Sequence, residues 1–91
     1  MDINSLSAFL RSVVPPYANV QLGEDDMLCI KSEEDNAEAY IKYSGGLDFS
    51  LQGVRNGEKS DTKTFSFRNE HELVAVIGSK VLELLDGERR I

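Results

Sequence analysis

Tryptophan is absent, cysteine and histidine occur once each, proline only twice, and the longest apolar run is the five residues 73–77. Each shortage closes a class of explanation. A membrane-spanning helix needs roughly 18 consecutive apolar residues, far more than this chain offers anywhere. A lone cysteine, Cys29, has no internal partner, whereas small secreted domains commonly carry several bridges. The N-terminus shows no basic segment leading into an apolar run, and Asp2 and Asn4 stand where a secretion signal would begin. The expectation from these shortages is a cytoplasmic protein.

Catalytic equipment is equally sparse. A nucleophilic Cys29 would need a base beside it, and the one histidine, His71, falls in the first turn of a predicted helix with nothing in the sequence to bring the two together. An enzyme using Cys29 is therefore the weakest reading. No Gly-rich strand-to-helix loop, GxxxxGK[ST] or GxGxxG is present, and Glu70 and Glu72 already place negative charge where an anion would sit at that helix start. The consecutive acids at 24–26 and 33–35 lack the alternating spacing and turning glycine of a calcium loop. Neither a cofactor nor a metal is expected.

Basic residues are also outnumbered. Ten Lys and Arg against sixteen Asp and Glu leave a net charge of −6, and the cations are scattered singly except for Arg89-Arg90. Such a field repels phosphate backbones and anionic lipid heads, which excludes direct nucleic-acid and membrane binding as expected functions.

What remains is an ordinary globular balance, 41% hydrophobic and 29% charged, in 91 residues, enough for one core and one domain spanning 1–91. Leu6, Phe9, Leu10, Val13 and Val14 repeat at helical spacing, extended backwards by Ile3; Asn4 can cap the helix and Pro15-Pro16 stop it, which predicts a helix over 4–14. The period then changes to two, predicting strands at 17–22, 27–31, 37–43, 47–52 and 62–67, the first with so few alternations that it is also compatible with a loop. The connections are short turns, apart from the longer 53–61 segment with Asn56-Gly57, so neighbouring strands run antiparallel. A second helix is predicted over 70–86, capped by Asn69 with Glu72 reaching back to its N–H, striped by Leu73, Ile77, Val81 and Leu84, widened by Val74 and Leu85, and ended at Gly87. Gly78 inside it implies close approach of a neighbouring element.

The predicted fold is therefore α+β: a two-layer sandwich with N- and C-terminal helices on one face of a four- or five-stranded antiparallel meander. Leu28, Ile30, Ala39, Ile41, Tyr43, Leu47, Phe49, Leu51, Phe65 and Phe67 should face the helices. Met27, Cys29, Lys31, Tyr40, Lys42, Asp48, Ser50, Gln52, Thr64 and Ser66 should face away. The helix–meander–helix order is also that of double-stranded RNA-binding domains, which grip phosphate with basic residues around the start of the second helix. Here that stretch is Asn69-Glu70-His71-Glu72, and the comparison fails at the residues that would do the work.

Two features point to a binding role. Glu24, Asp25, Asp26, Glu33, Glu34, Asp35 and Glu38 against Lys31 place −6, the whole net charge, within residues 24–38. Charged turns of this kind also serve solubility and edge protection, but concentrated here they suit a basic surface on a partner protein, including one that itself binds nucleic acid, with the acids standing in for phosphates. Met27, Cys29 and Tyr40 should meet on the sheet face away from the helices, and Met and Tyr are enriched at interface centres. That face is available unless the register slips by one residue or the 53–61 loop folds over it. The expected function is a non-catalytic protein-binding module, a small acidic inhibitor or adaptor. In class and composition it is like the short acidic inhibitors carried by some bacterial viruses. The alternative is a structural or self-assembling domain, with a homodimer as its simplest form.

Overall fold

The computed structural model describes residues 2–34 and 36–86. Helix α1 spans Ile3–Val13 and is followed by strands β1 (Ala18–Leu22), β2 (Met27–Ser32), β3 (Ala37–Lys42), β4 (Asp48–Arg55), β5 (Glu58–Lys59) and β6 (Lys63–Ser66), then by helix α2 (Glu70–Asp86). The strands form one antiparallel sheet in the order β1-β2-β3-β4-β5, with β6 also pairing with β4. Both helices pack on one face, so the α+β two-layer arrangement predicted from the period change is the one observed.

Helix α1 begins one turn-position earlier than predicted, because Asp2 and not Asn4 is the cap. The Asp2 carboxylate accepts the Ser5 N–H at 2.8 Å, a bond that holds this carboxyl below its ordinary pKa. Leu6 and Leu10 are fully buried, with Ile3, Phe9, Val13 and Val14 around them. Ser7 lies on the same side, 3% exposed, and its hydroxyl has no hydrogen-bond partner among the described residues. Removing a buried, unsatisfied hydroxyl from a helix relieves a desolvation cost and improves helix propensity. Ser7→Ala is expected to stabilise the fold by about 1 kcal/mol, read as a higher urea midpoint at unchanged slope.

The doubtful first strand is a strand from Ala18, with Tyr17 in the preceding turn, and it pairs with β2 from Ala18↔Ser32 to Leu22↔Leu28. Its outer edge is partly occupied: Arg11 at the end of α1 donates to the Val20 carbonyl at 3.3 Å, and the Ala18 N–H donates to Pro15. The opposite edge differs more from expectation. β4 continues to Arg55, and Asn56-Gly57, both at positive φ (52° and 82°), turn the chain back inside what sequence alone presents as a loop. β5 pairs as Val54↔Lys59 and β6 as Leu51↔Lys63, so the edge contains one residue more than β4 does across 60–62. This is a bulge. Ser60 fills it, its N–H donating to the Gly53 carbonyl at 2.9 Å and its hydroxyl accepting the Gly53 N–H at 3.0 Å.

The core consists of Val20, Leu28, Ile30, Ala37, Ala39, Ile41, Tyr43, Phe49 and Leu51 from the sheet side against Leu6, Leu10, Leu73, Ile77, Val81 and Leu85 from the helices. Phe65 and Phe67 are partly buried and stack on Phe49 with ring centroids 5.2 and 5.7 Å away. Leu47, expected inside, is 40% exposed: it precedes β4, at the end of the sheet where the chain leaves the Gly45-Gly46 turn. In α2 the fully buried row is 73, 77, 81 and 85, and Leu84 takes the flanking place instead. A Cβ on Gly78 would stand 3.3 Å from the Phe9 ring, which is the close helix-to-helix approach its position implied. Glu72 reaches past Asn69 to the Arg68 N–H (3.1 Å), while Asn69 caps the Glu72 N–H at 3.0 Å. The predicted Gly87 terminus lies outside the described residues. The end of α2 is held by Arg55, whose guanidinium donates to the Leu84 and Leu85 carbonyls at 2.7 and 2.8 Å, satisfying orphan acceptors and complementing the helix dipole.

Candidate functional site

Alternation along β2 and β3 sends Leu28, Ile30, Ala39 and Ile41 into the core and leaves Met27, Cys29, Lys31, Glu38, Tyr40 and Lys42 on the other face. The register pairs Met27↔Lys42, Cys29↔Tyr40 and Lys31↔Glu38. Neither a slipped register nor the 53–61 segment buries these residues: Met27, Cys29 and Tyr40 are each half-buried, within the sheet surface itself. The Tyr43 N–H donates to the Asp26 carbonyl at 3.0 Å, so the hydrogen-bonded pairs recur at every second step, through Leu28↔Ile41 and Ile30↔Ala39. Cys29 and Tyr40 are therefore a non-hydrogen-bonded pair, the kind whose side chains stand closer together.

Tyr40 also donates its hydroxyl to the Glu38 carboxylate two residues away on the same face. That bond, with burial adding to it, raises the Tyr40 pKa to about 12. Burial, then the neighbouring Glu38 carboxylate, pushes the Cys29 thiol upward, away from the thiolate a nucleophile requires. His71 lies on α2 in the opposite layer, so Cys29 and His71 do not meet. Among the described residues, no three His, Cys, Asp or Glu side chains converge as a metal site, and no helix is long and apolar enough to cross a membrane.

Burial likewise raises Tyr43, whose hydroxyl donates to the Gly46 carbonyl at 2.9 Å. For Cys29, Tyr40 and Tyr43 alike, the folded pKa stands above the unfolded one, so the folded state holds these protons more tightly. Their contribution to stability is complete below the ordinary values of 9.0 and 10.0, and it is lost as pH rises through the folded values, up to about 12 for Tyr40. The urea midpoint should therefore fall between pH 9 and 12, and fall less steeply in Tyr40→Phe, which keeps the ring and has no proton to lose. Equal slopes in both proteins would remove Tyr40 from the alkaline transition.

The acidic residues sit where the sheet turns. In the β1–β2 turn the Met27 N–H closes on the Glu24 carbonyl at 3.2 Å, with Asp25 and Asp26 both in the left-handed region at φ 55° and 58°. Two consecutive left-handed residues favour Asn-Gly, and Asp tolerates the conformation less well. Glu24, Asp25 and Asp26 are exposed. At the other end of β2, Glu33 and Glu34 are exposed in a turn closed by the Asn36 N–H on the Glu33 carbonyl; Asp35 lies outside the described residues. Asn36 is fastened to the β4–β5 turn through its amide on Asn56 (2.8 Å) and through the Asn56 N–H on its carbonyl (3.0 Å). The predicted group thus divides: Met27, Cys29, Tyr40 and Glu38 lie together on the face, and the turn acids flank it at two ends.

A depression of about 190 Å³ beside the cluster is lined by Met27, Tyr40, Lys42, Ser50, Gln52 and Thr62. Lys42, Ser50 and Gln52 belong to the face by alternation alone, and the antiparallel register could have added them to the site. Thr62 also shares the parity of Thr64 and Ser66 within the predicted 62–67 strand, although it stands one residue before β6. No protein-family model matches the chain, and neither a curated protein nor a solved structure matches it.

Proposed function

We propose that this domain is a non-catalytic protein-binding module, a small acidic inhibitor or adaptor that docks on a basic surface of another protein. The observation that carries the reading is the sheet face opposite the helices: no described element covers it, and its centre is the half-buried trio Met27, Cys29 and Tyr40. Turns bearing Glu24, Asp25, Asp26, Glu33 and Glu34 stand at its two ends, with Glu38 between. Apolar and aromatic groups at the centre with charge at the rim is the usual anatomy of an interface. Acids held at Asp25 and Asp26, where the backbone favours Asn-Gly, are what a selected charge would look like. A partner that normally holds nucleic acid offers the basic surface this pattern suits.

Affinity capture from the source cell identifies the partner, and association kinetics test the mode of docking. Glu33→Lys with Glu34→Lys should slow association and flatten its salt dependence, with a smaller effect on dissociation. An unchanged on-rate at low ionic strength would reduce those acids to solubility residues. The self-assembly alternative has its own observation in β1, an edge strand whose last residue, Leu22, is 47% exposed and which Tyr17, 41% exposed, immediately precedes. Light scattering that finds a monomer across concentration would remove it.

A further inference from the structure

The docking reading above can be taken one step further, because the charge pattern of the face restricts the shape of its occupant. The acidic turns lie at opposite ends of the six-residue β2, and six residues at ~3.3 Å each put them roughly 20 Å apart. The Debye length at physiological ionic strength is about 8 Å. At more than twice that distance the turns act as two separate anionic patches and not as one field. Between them the face changes sign and character. Lys42 pairs with Met27 near one turn, Lys31 pairs with Glu38 near the other, and Cys29 with Tyr40 occupies the middle. A partner carrying a single block of positive charge would satisfy one turn and press the remainder against Lys42 or Lys31.

We infer that the occupant of this face is a helix of the partner protein with basic residues at both ends and an apolar middle. A helix is the element that covers the other face of this same sheet, and the broad, half-buried centre has no free backbone edge to offer a strand. At 1.5 Å per residue, spanning ~20 Å places the two basic ends about 13 residues apart. The middle of the helix lies over Tyr40 and Cys29, and the depression bordered by Met27, Gln52 and Thr62 receives an apolar side chain from it.

Two synthetic helical peptides of identical composition test this against the full chain: one with arginine pairs at both ends of an alanine- and leucine-containing middle, the other with all four arginines in the middle. Binding is read by fluorescence anisotropy at 0.15 M salt and by amide shift mapping. The two-ended peptide should bind about tenfold more tightly, since its second contact forms within an existing complex. It should shift amides at both acidic turns and at Cys29 and Tyr40. Glu24→Lys and Glu33→Lys, at exposed positions, should each weaken it. Equal affinity for the two peptides, or shifts confined to one turn, would overturn the two-ended helix while leaving a basic partner in place. Binding of neither peptide would overturn both this inference and the docking reading.

Discussion

Replacing Ile77 by alanine is expected to cost about 2–5 kcal/mol of stability. Ile77 is 0% exposed at the middle of α2, in one fully buried row with Leu73, Val81 and Leu85. Deleting its outer methyl groups removes apolar surface from a packed interior and leaves a cavity. The surroundings can relax little: Gly78, next in sequence, already has the Phe9 ring against it at a distance a Cβ would feel. The same helix is also pinned at its end by Arg55. Leu10→Ala in α1 should fall in the same range, and Lys42→Ala on the uncovered face within about 0.5 kcal/mol. Urea denaturation of the three variants separates the layers. A neutral Ile77→Ala would mean that α2 does not pack through this stripe, and the sandwich would have to be redrawn.

The parts of this fold legible in the sequence are those governed by period. Apolar residues at 6, 9, 10, 13 and 14 and at 73, 77 and 81 can only cover a core as helices, and the alternation through 27–31 and 37–43 assigns each side chain to a face. Short turns then leave an antiparallel meander as the simplest order. What period does not encode was less legible. The choice of Asp2 over Asn4 as cap depends on one backbone torsion, since Asp2 alone has the extended conformation that aims its carboxylate at the Ser5 N–H. The bulge at 60–62 is made by Ser60 substituting side-chain for ladder hydrogen bonds, a tertiary accommodation to β4. Leu47 is exposed because it precedes β4 at the exit of the Gly45-Gly46 turn, a boundary that the period-two pattern does not mark. The site follows the same division. Alternation brings Met27, Cys29 and Tyr40 to one face, whereas the Tyr40–Glu38 bond and the tie between Asn36 and Asn56 require the register.

Tyr40→Ala is the substitution expected to separate binding from folding. Tyr40 is half-buried on the uncovered face, not in the core; its hydroxyl is spent on Glu38, and its cross-strand partner is Cys29 at the centre of the exposed sheet. Truncation removes a cross-strand contact worth roughly 0.2–1 kcal/mol, so the fold should lose no more than about 1 kcal/mol. At an interface centre the same ring would be flanked by groups that exclude water, and truncating such an aromatic costs ~2 kcal/mol or more of binding. The two numbers diverge because the sheet supports Tyr40 from one side only, while a docked partner would enclose it from the other. Tyr40→Phe divides the effect again. It keeps the ring and releases the Glu38 carboxylate, so it should retain most of the affinity if the ring is the anchor. Unfolding of Tyr40→Ala with binding intact per folded molecule would make Tyr40 a structural residue, and the docking face would have to be sought elsewhere on the domain.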